Sequence, residues 1–222
     1  MQTGVKPNTQ IKICGITRVE DAEAAIELGA HMLGLNFYAK SPRCIAPAQA
    51  REIARAVAGR ARLVGVFVNM NLPELLRTAG EVQLDAVQLH GDESSADCAA
   101  VAANFAVIRA IKVDGQFSPA HAARFAACSG LLLDTTTPAH GGSGESFDWG
   151  GVAWEDLRSA APQAKLFLAG GLHPGNVAAA IAVAHPDAVD VCSGVESAQG
   201  AKSVEKMREF VAAVRAAERR EQ

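Results

Sequence analysis

Three side chains of this sequence have the chemistry to move protons or hold an anion; two of them end short apolar runs and the third lies in a loop after another such run. They are Cys14, Asp134 and Arg43. A thiolate acts as a base, a carboxylic acid donates a proton, and a guanidinium clamps a carboxylate with two hydrogen bonds. From composition alone a buried hydrophobe, a loop carboxylate and a solvated charge are also open. The combination favours acid-base chemistry on an anionic substrate.

The neighbours of these groups support that interpretation. Lys12 has the parity of Cys14, so a strand places the cation near the thiol, where it favours the thiolate. Asp134 ends a purely apolar strand, and poor solvation there favours the protonated form that a general acid needs. His90 shares a face with Gln88, and the pair fits a ligand-facing position or a satisfied core histidine equally well.

Two glycine turns predict an anion site. Gly170-Gly171 and Ser193-Gly194 each follow an apolar run, and both let the backbone approach a phosphate closely. Single turns of this kind are equally explained as loop punctuation, but two consecutive ones favour phosphate. Since neither turn contains Lys or Arg, we expect backbone amides to hold the phosphate.

Composition limits the possible classes of protein. The chain has 222 residues and a net charge of -3, which gives no basic face for nucleic acid. No apolar run approaches a membrane span and the first ten residues lack a signal-peptide core, so we expect a cytoplasmic protein. Five dispersed cysteines, with no metal-ligand spacing, predict reduced thiols and no metal.

Strand and helix patterns alternate eight times, in units of roughly 25 residues, at the compact end of the barrel size range. They predict an α/β fold, a (β/α)8 TIM barrel, as a single domain over 1–222, with an extension at 1–10 and a charged frayed tail at 218–222. A doubly wound sheet is the alternative. The predicted strands are Ile11–Cys14, Met32–Phe37, Leu63–Val68, Ala86–His90, Ala106–Ile111, Leu131–Asp134, Leu166–Ala169 and Ala188–Cys192.

Several local signals refine this pattern. Thr17 with Glu20 has capping-box spacing, and Asn71 is a plausible cap before Glu74. Proline in a first turn predicts helix starts at Pro47, Pro119 and Pro174, and a weaker helix begins near Trp149. The final helix starts at Ser203, and room for a short extra helix follows Gly194. The Gly- and Ser-rich segment 135–147 predicts a functional loop.

Seven segments, in order along the chain, resemble the phosphoribosylanthranilate isomerase family from about Ile11 to about Phe210. They are Lys12-Ile13-Cys14-Gly15-Ile16-Thr17, Ser41-Pro42-Arg43, Val64-Gly65-Val66-Phe67-Val68-Asn69 with Val87-Gln88-Leu89-His90-Gly91, Leu133-Asp134-Thr135, Gly141-Gly142-Ser143-Gly144 with Phe147-Asp148-Trp149, Ala169-Gly170-Gly171-Leu172, and Asp190-Val191-Cys192-Ser193-Gly194-Val195-Glu196.

The resemblance implies an Amadori rearrangement in tryptophan biosynthesis, without a cofactor, in a monomer or homodimer whose partner is a small phosphoribosyl substrate. It implies that Cys14 is the general base, Asp134 the general acid and Arg43 the partner of the anthranilate carboxylate. His90 is a further substrate-binding candidate. The phosphate-binding residues implied are Gly170, Gly171, Ser193 and Gly194.

Cys192 departs from the serine that the family often has. Three alternatives remain at this stage: indole-glycerol-phosphate synthase, a dual isomerase that also takes the histidine-pathway substrate, and a phosphate-ligand sensor without turnover. The synthase needs a lysine-rich catalytic set, whereas the presence of both Cys14 and Asp134 disfavours the sensor.

Overall fold

Eight parallel strands form a closed barrel in the computed structural model, which describes residues 8–114, 117–135 and 148–220. The expected (β/α)8 barrel is therefore confirmed, and the doubly wound alternative is wrong. The barrel strands are β1 Gln10–Cys14, β2 Met32–Asn36, β3 Arg62–Phe67, β4 Ala86–Leu89, β5 Ala106–Val113, β6 Gly130–Thr135, β7 Lys165–Leu168 and β8 Ala188–Val191.

Helices follow the strands along the chain, and a short antiparallel hairpin precedes the last helix. The helices are α1 Val19–Glu27, α2 Pro47–Val57, α3 Leu72–Val82, α4 Ser95–Ala102, α5 Pro119–Ala123, α6 Trp154–Ala160, α7 Val177–Ala184 and α8 Val204–Arg220. Two 3-10 turns cover Trp149–Gly151 and Ser193–Val195, and the hairpin strands are β9 Glu196–Ala198 and β10 Ala201–Lys202. In the described ranges no helix has the length and apolar character to cross a membrane.

The apolar core has two layers. One cluster of buried residues lies inside the barrel and includes Val64, Leu132 and Phe167 from three different strands. The larger cluster packs the outer faces of the strands against the helices. Side chains therefore fill the interior of the barrel, as is usual for this fold.

Helix starts agree with the sequence signals in most places. The Asn71 side chain accepts a hydrogen bond from the Glu74 amide, and Pro47 and Pro119 lie in first turns, as predicted. The capping box at Thr17 is wrong, because α1 begins one residue later and the Thr17 hydroxyl donates to the Gly200 carbonyl. This tertiary hydrogen bond uses the Thr17 hydroxyl, which would otherwise have capped α1.

A capping box exists elsewhere, at a helix the sequence signals did not identify. Ser94 and Asp97 exchange side-chain and backbone hydrogen bonds at the start of α4. Other boundaries moved: α7 begins at Val177, three residues after Pro174, and near Trp149 a 3-10 turn precedes α6. The extra turn after β8 starts at Ser193, before the position expected for it.

Both chain ends correct the predicted boundaries. Gln10 belongs to β1 rather than to an extension, and α8 continues to Arg220, so residues 218–220 are not frayed. Glu218 accepts hydrogen bonds from Arg215 and from the Thr9 amide, which ties the end of α8 to the start of β1. Most of the predicted functional loop, 136–147, lies outside the described residues.

Candidate active site

A cavity of about 220 Å³ opens at the carboxyl ends of the barrel strands. Every predicted site residue except Gly194 lines it. They are Cys14, Arg43, His90, Asp134, Gly170, Gly171 and Ser193. The register of eight parallel strands brings side chains from distant parts of the chain to one mouth, which is where barrels carry their chemistry.

A buried ion pair forms the floor beneath Cys14. Lys12 is fully buried on β1, and its Nζ donates to Asp190 Oδ2 on β8 at 2.8 Å. Lys12 and Asp190 are direct register partners, so the pairing follows from the strand alignment. Burial alone would lower the pKa of Lys12, but the charges of Asp190 and Cys14 outweigh it and raise that pKa. Lys12 is therefore a permanent cation two residues from the thiol.

Cys14 has a second thiol beside it. In the β1–β8 register Ile13 faces Val191, so the next positions, Cys14 and Cys192, lie side by side at the strand ends. The hydrogen bond from Cys14 lowers the pKa of Cys192 to about 7, with help from Lys202 and against the effect of burial. The same hydrogen bond raises the pKa of Cys14. Burial raises this pKa further, and together they outweigh the charge of Lys12, which lowers it. The two thiols therefore ionise as a pair that shares one proton near neutral pH.

Arg43 is held by a carboxylate that the sequence signals did not assign to the site. Its Nε and Nη2 donate to the two oxygens of Glu196, both at 2.7 Å, and the pair is buried. Lys202 Nζ reaches the same carboxylate at 3.0 Å and donates to the Cys192 carbonyl. Burial disfavours the Glu196 anion, but Arg43 and Lys202 outweigh it and lower the pKa of Glu196. Among the described residues Arg43 Nη1 has no hydrogen-bond partner, so this edge of the guanidinium can still donate.

Polar contacts run across the side of the cavity formed by β4 and β6. Gln88 Nε2 lies 2.8 Å from His90 Nδ1, and His90 Nε2 lies 3.2 Å from Asp134 Oδ2. The other oxygen of Asp134 accepts from the Thr135 amide at 2.8 Å. Asp134 is 7 % exposed. The His90 ring lines the cavity and contacts both Gln88 and Asp134, and its role in binding a ligand stays a prediction.

The two glycine turns pack against Asp134 and against each other. Gly170 has φ +79°, and a Cβ there would lie 2.8 Å from the Thr135 nitrogen and 3.1 Å from Asp134 Oδ1. Gly194 does not line the cavity, but a Cβ there would clash with the carbonyl oxygen of Leu172. Only glycine allows these approaches. Gly194 therefore closes the β8 turn onto the β7 turn, and Ser193 and Gly171 face the cavity.

Three charged residues of the site were not identified as such from the sequence: Asp190, Glu196 and Lys202. Lys12 and Asp190 each interrupt an apolar strand, and matched opposite charges in two adjacent buried strands signal an ion pair. Lys202 lies in the β9–β10 hairpin, which no periodicity indicates. In the described parts of the chain, no cluster of three or more His, Cys, Asp or Glu side chains is arranged to hold a metal ion.

Comparison with known proteins gives one consistent result. A family model described as N-(5'phosphoribosyl)anthranilate (PRA) isomerase matches residues 11–213. The N-(5'-phosphoribosyl)anthranilate isomerase of Citrifermentans bemidjiense is 47 % identical over 205 residues, covering 92 % of this chain and 96 % of that protein.

Solved structures agree. The phosphoribosyl anthranilate isomerase of Thermotoga maritima superposes with a TM-score of 0.86 at 41 % identity, covering 94 % of this chain and 99 % of the other. That enzyme is described as dimeric. A phosphoribosyl anthranilate isomerase in complex with reduced 1-(o-carboxyphenylamino)-1-deoxyribulose 5-phosphate has a TM-score of 0.83 at 38 % identity, with the same coverage.

Proposed function

This chain belongs to the N-(5'-phosphoribosyl)anthranilate isomerase family and catalyses the isomerase step of tryptophan biosynthesis, and we propose that it does so with Cys14 as general base and Asp134 as general acid. The reaction converts N-(5-phosphoribosyl)anthranilate to 1-(2-carboxyphenylamino)-1-deoxyribulose 5-phosphate. The observation that carries the proposal is that a paired thiol and a hydrogen-bonded carboxyl group line one cavity beside a buried arginine. The family match gives no support to the synthase or sensor alternatives.

The two anions of the substrate have separate places in this proposal. Backbone amides of the turns at Gly170-Gly171 and Ser193-Gly194 bind the phosphate, since oriented amides provide partial positive charge without a lysine or arginine. The free edge of Arg43 binds the anthranilate carboxylate. Glu196 fixes the guanidinium plane in advance, so little side-chain entropy is lost when the carboxylate arrives.

The acid step opens the sugar ring. Asp134 gives its proton to the furanose ring oxygen, the bond between that oxygen and C1′ breaks, and a protonated Schiff base forms between C1′ and the anthranilate nitrogen. The hydrogen bond from the Thr135 amide and the 3.2 Å contact with His90 Nε2 hold the carboxyl group in place. Because apolar strands surround it, water competes weakly for the proton.

The base step follows at C2′. Above the first ionisation of the thiol pair, one proton is shared by two sulfurs, and its transfer to Cys192 leaves the thiolate on Cys14. Cys14 then removes the C2′ proton, giving the enolamine, which tautomerises to the ketone. Lys12 stabilises the negative charge on the thiol pair throughout, since Asp190 keeps Lys12 protonated.

A coupled assay tests the activity directly. Anthranilate and phosphoribosyl pyrophosphate, supplied with the preceding transferase, generate the unstable substrate, and loss of its fluorescence reports turnover. We expect turnover with the purified chain and no added metal or cofactor. Absence of turnover with a correctly folded chain, under conditions where the Thermotoga maritima enzyme turns over, would contradict the proposal.

A further inference from the structure

The amide of Gln88 on β4 contacts the His90 ring, which in turn contacts Asp134. One of the two polar atoms of this amide has no hydrogen-bond partner among the described residues. It is 1 % exposed, and its Nε2 lies 2.8 Å from His90 Nδ1. Among the described residues its Oε1 accepts no hydrogen bond. A buried amide oxygen is normally satisfied, so an orphan beside a catalytic group requires an explanation.

The observed orientation fits one protonation state of the pair formed by His90 and Asp134. A neutral imidazole has one N–H donor and one acceptor nitrogen. When Asp134 is a carboxylate, His90 Nε2 must carry the hydrogen that it shares with Asp134 Oδ2 at 3.2 Å. Nδ1 is then an acceptor, and the Gln88 amide nitrogen donates to it. In this state the pair holds one proton.

The acid step needs the state with one proton more. Asp134 has a proton to give only when the pair holds two. When Asp134 Oδ2 carries this proton and donates it to His90 Nε2, Nε2 is the acceptor, so Nδ1 carries the ring hydrogen and needs an acceptor. A 180° rotation of the Gln88 amide supplies one, because Oε1 takes the place of Nε2. Either orientation leaves the outer amide atom without a described partner. The outer end of the amide therefore favours neither orientation, and the protonation state of His90 Nδ1 decides which orientation forms.

We propose that Gln88 is a positioning residue that lets the His90–Asp134 pair hold either one or two protons, by donating to Nδ1 in the first state and accepting from it in the second. The inference rests on the proposed role of Asp134 as general acid. When Asp134 protonates the ring oxygen, its own O–H bond breaks and an O–H bond forms on the sugar. The pair passes from two protons to one and regains the second from water.

The charged groups around the pair leave this role to Gln88. Lys112 on β5 is the register partner of Asp134. It lines a neighbouring cavity with Asp92, Arg109, His121 and Arg124, and Cys14 lies on the opposite side. Arg109 is already paired with Glu93. Within the described residues none of these groups hydrogen-bonds the His90 ring, so Gln88 is the described group that touches Nδ1.

The test uses two replacements that act in opposite directions. Gln88→Met cannot accept from Nδ1 and should disfavour the two-proton state, whereas Gln88→Glu accepts only and should favour it. We expect the basic limb of the kcat profile to move down by about one pH unit in the first variant and up by about one unit in the second. KM should change less than twofold in both. Gln49→Met, at an exposed position of α2, is the matched control and should match wild type.

Histidine ¹⁵N NMR makes the test independent of turnover. The His90 signals, assigned by their loss in His90→Asn, report the pH at which Nδ1 gains its hydrogen, and this midpoint should move with the kinetic limb. Opposite shifts in the two variants support the proposal. Unchanged midpoints, or shifts in the same direction, would overturn it, even if the assay confirms the isomerase. Should one variant not fold, the other and the wild type still decide by the direction of the shift.

Discussion

The two sides of the active-site cavity are built from different interactions. The side formed by β1, β8 and the β9–β10 hairpin is ionic, with Lys12 on Asp190, and Arg43 and Lys202 on Glu196. The side formed by β4 and β6 is a line of polar contacts that runs from an amide through an imidazole to a carboxyl group, with hydrogen bonds between Gln88 and His90 and from the Thr135 amide to Asp134. The first side we call the ionic wall and the second the hydrogen-bonded wall.

The difference matches what each catalyst has to be. A thiol near neutral pH becomes a base only if cations stabilise its anion, and the ionic wall supplies Lys12, Arg43 and Lys202 around the thiols. A carboxyl group is an acid only if it keeps a proton, which fixed positive charges in contact would remove. The hydrogen-bonded wall holds Asp134 through His90 and Thr135, and among the described residues no Lys or Arg forms an ion pair with it.

The largest expected effect comes from removing either of the two proposed catalysts. Cys14→Ser and Asp134→Asn should each lower kcat by roughly 10²- to 10⁴-fold, because a hydroxyl is too weak a base and an amide has no proton to deliver. Steady-state kinetics measure this loss. Affinity for the reduced product analogue should stay nearly intact. Cys44→Ser and Asp156→Asn are matched controls outside the cavity and should keep wild-type turnover.

The residual activities sharpen the comparison. If the walls divide the work, Cys14→Ser should lose the acidic limb of its pH profile and keep the basic one, and Asp134→Asn should do the reverse. Loss of the same limb in both variants would contradict a base on one wall and an acid on the other.

The next effect concerns stability. Lys12→Met leaves the Asp190 carboxylate buried without its cation, and breaking a buried ion pair in this way costs about 3 to 5 kcal/mol. Urea denaturation should show the loss as a lower midpoint at an unchanged slope. Arg77→Met breaks the exposed pair with Glu81 and should cost less than about 0.5 kcal/mol. An equal, small loss of unfolding free energy in both variants would mean that the buried Lys12–Asp190 pair stabilises the fold no more than an exposed ion pair does.

Sequence patterns predicted the hydrogen-bonded wall and the frame better than the ionic wall. Apolar runs and their spacing predicted the eight strands, and the residue at each strand end then had to point to the mouth. This placed His90 and Asp134 of the hydrogen-bonded wall, together with Cys14 of the ionic wall. These are local rules, since strand parity and strand order decide them.

The ionic wall depends on contacts between distant segments. Glu196 reaches Arg43, and Lys202 reaches Glu196, only because the chain after β8 turns into a hairpin. The pattern also implied a thiolate on Cys14 from Lys12 alone, but the neighbouring thiol raises the pKa of Cys14 and places the first ionisation on Cys192. Thr17 illustrates the same limit, because a partner 183 residues away took its hydroxyl from the cap.

A smaller effect is expected from replacing Arg43, the cation proposed to bind the substrate carboxylate. Arg43→Ala should raise KM and should lose the preference for a carboxylated product analogue over one lacking the carboxylate, a charge-assisted pair of about 1.5 to 3 kcal/mol. Calorimetric titration of both analogues measures the preference. Arg51→Ala removes an exposed arginine of α2 as the control. If the affinity for both analogues falls equally, Arg43 serves only to neutralise Glu196.

The smallest expected effect isolates the second thiol. The base exists above the first ionisation of the thiol pair, near pH 7, and is lost as the pH falls below it. Cys192→Ser removes the sulfur beside Lys202 that takes up the first negative charge. Cys14 must then ionise alone, against its burial and the charge of Asp190. The acidic limb of the kcat profile should therefore move to higher pH.

The shift for Cys192→Ser should be about one pH unit, which corresponds to about 1.4 kcal/mol, with full turnover recovered on the alkaline side of the limb. Cys192→Ala should shift the limb further, because it also loses the hydrogen bond that a serine hydroxyl still donates to the thiolate. The rate of Cys14 alkylation by iodoacetamide should follow the same pH shift. Cys128→Ser, at a buried thiol outside the cavity, should leave the limb in place. An unmoved limb in Cys192→Ala would mean that Cys14 and Lys12 form the base without a partner thiol.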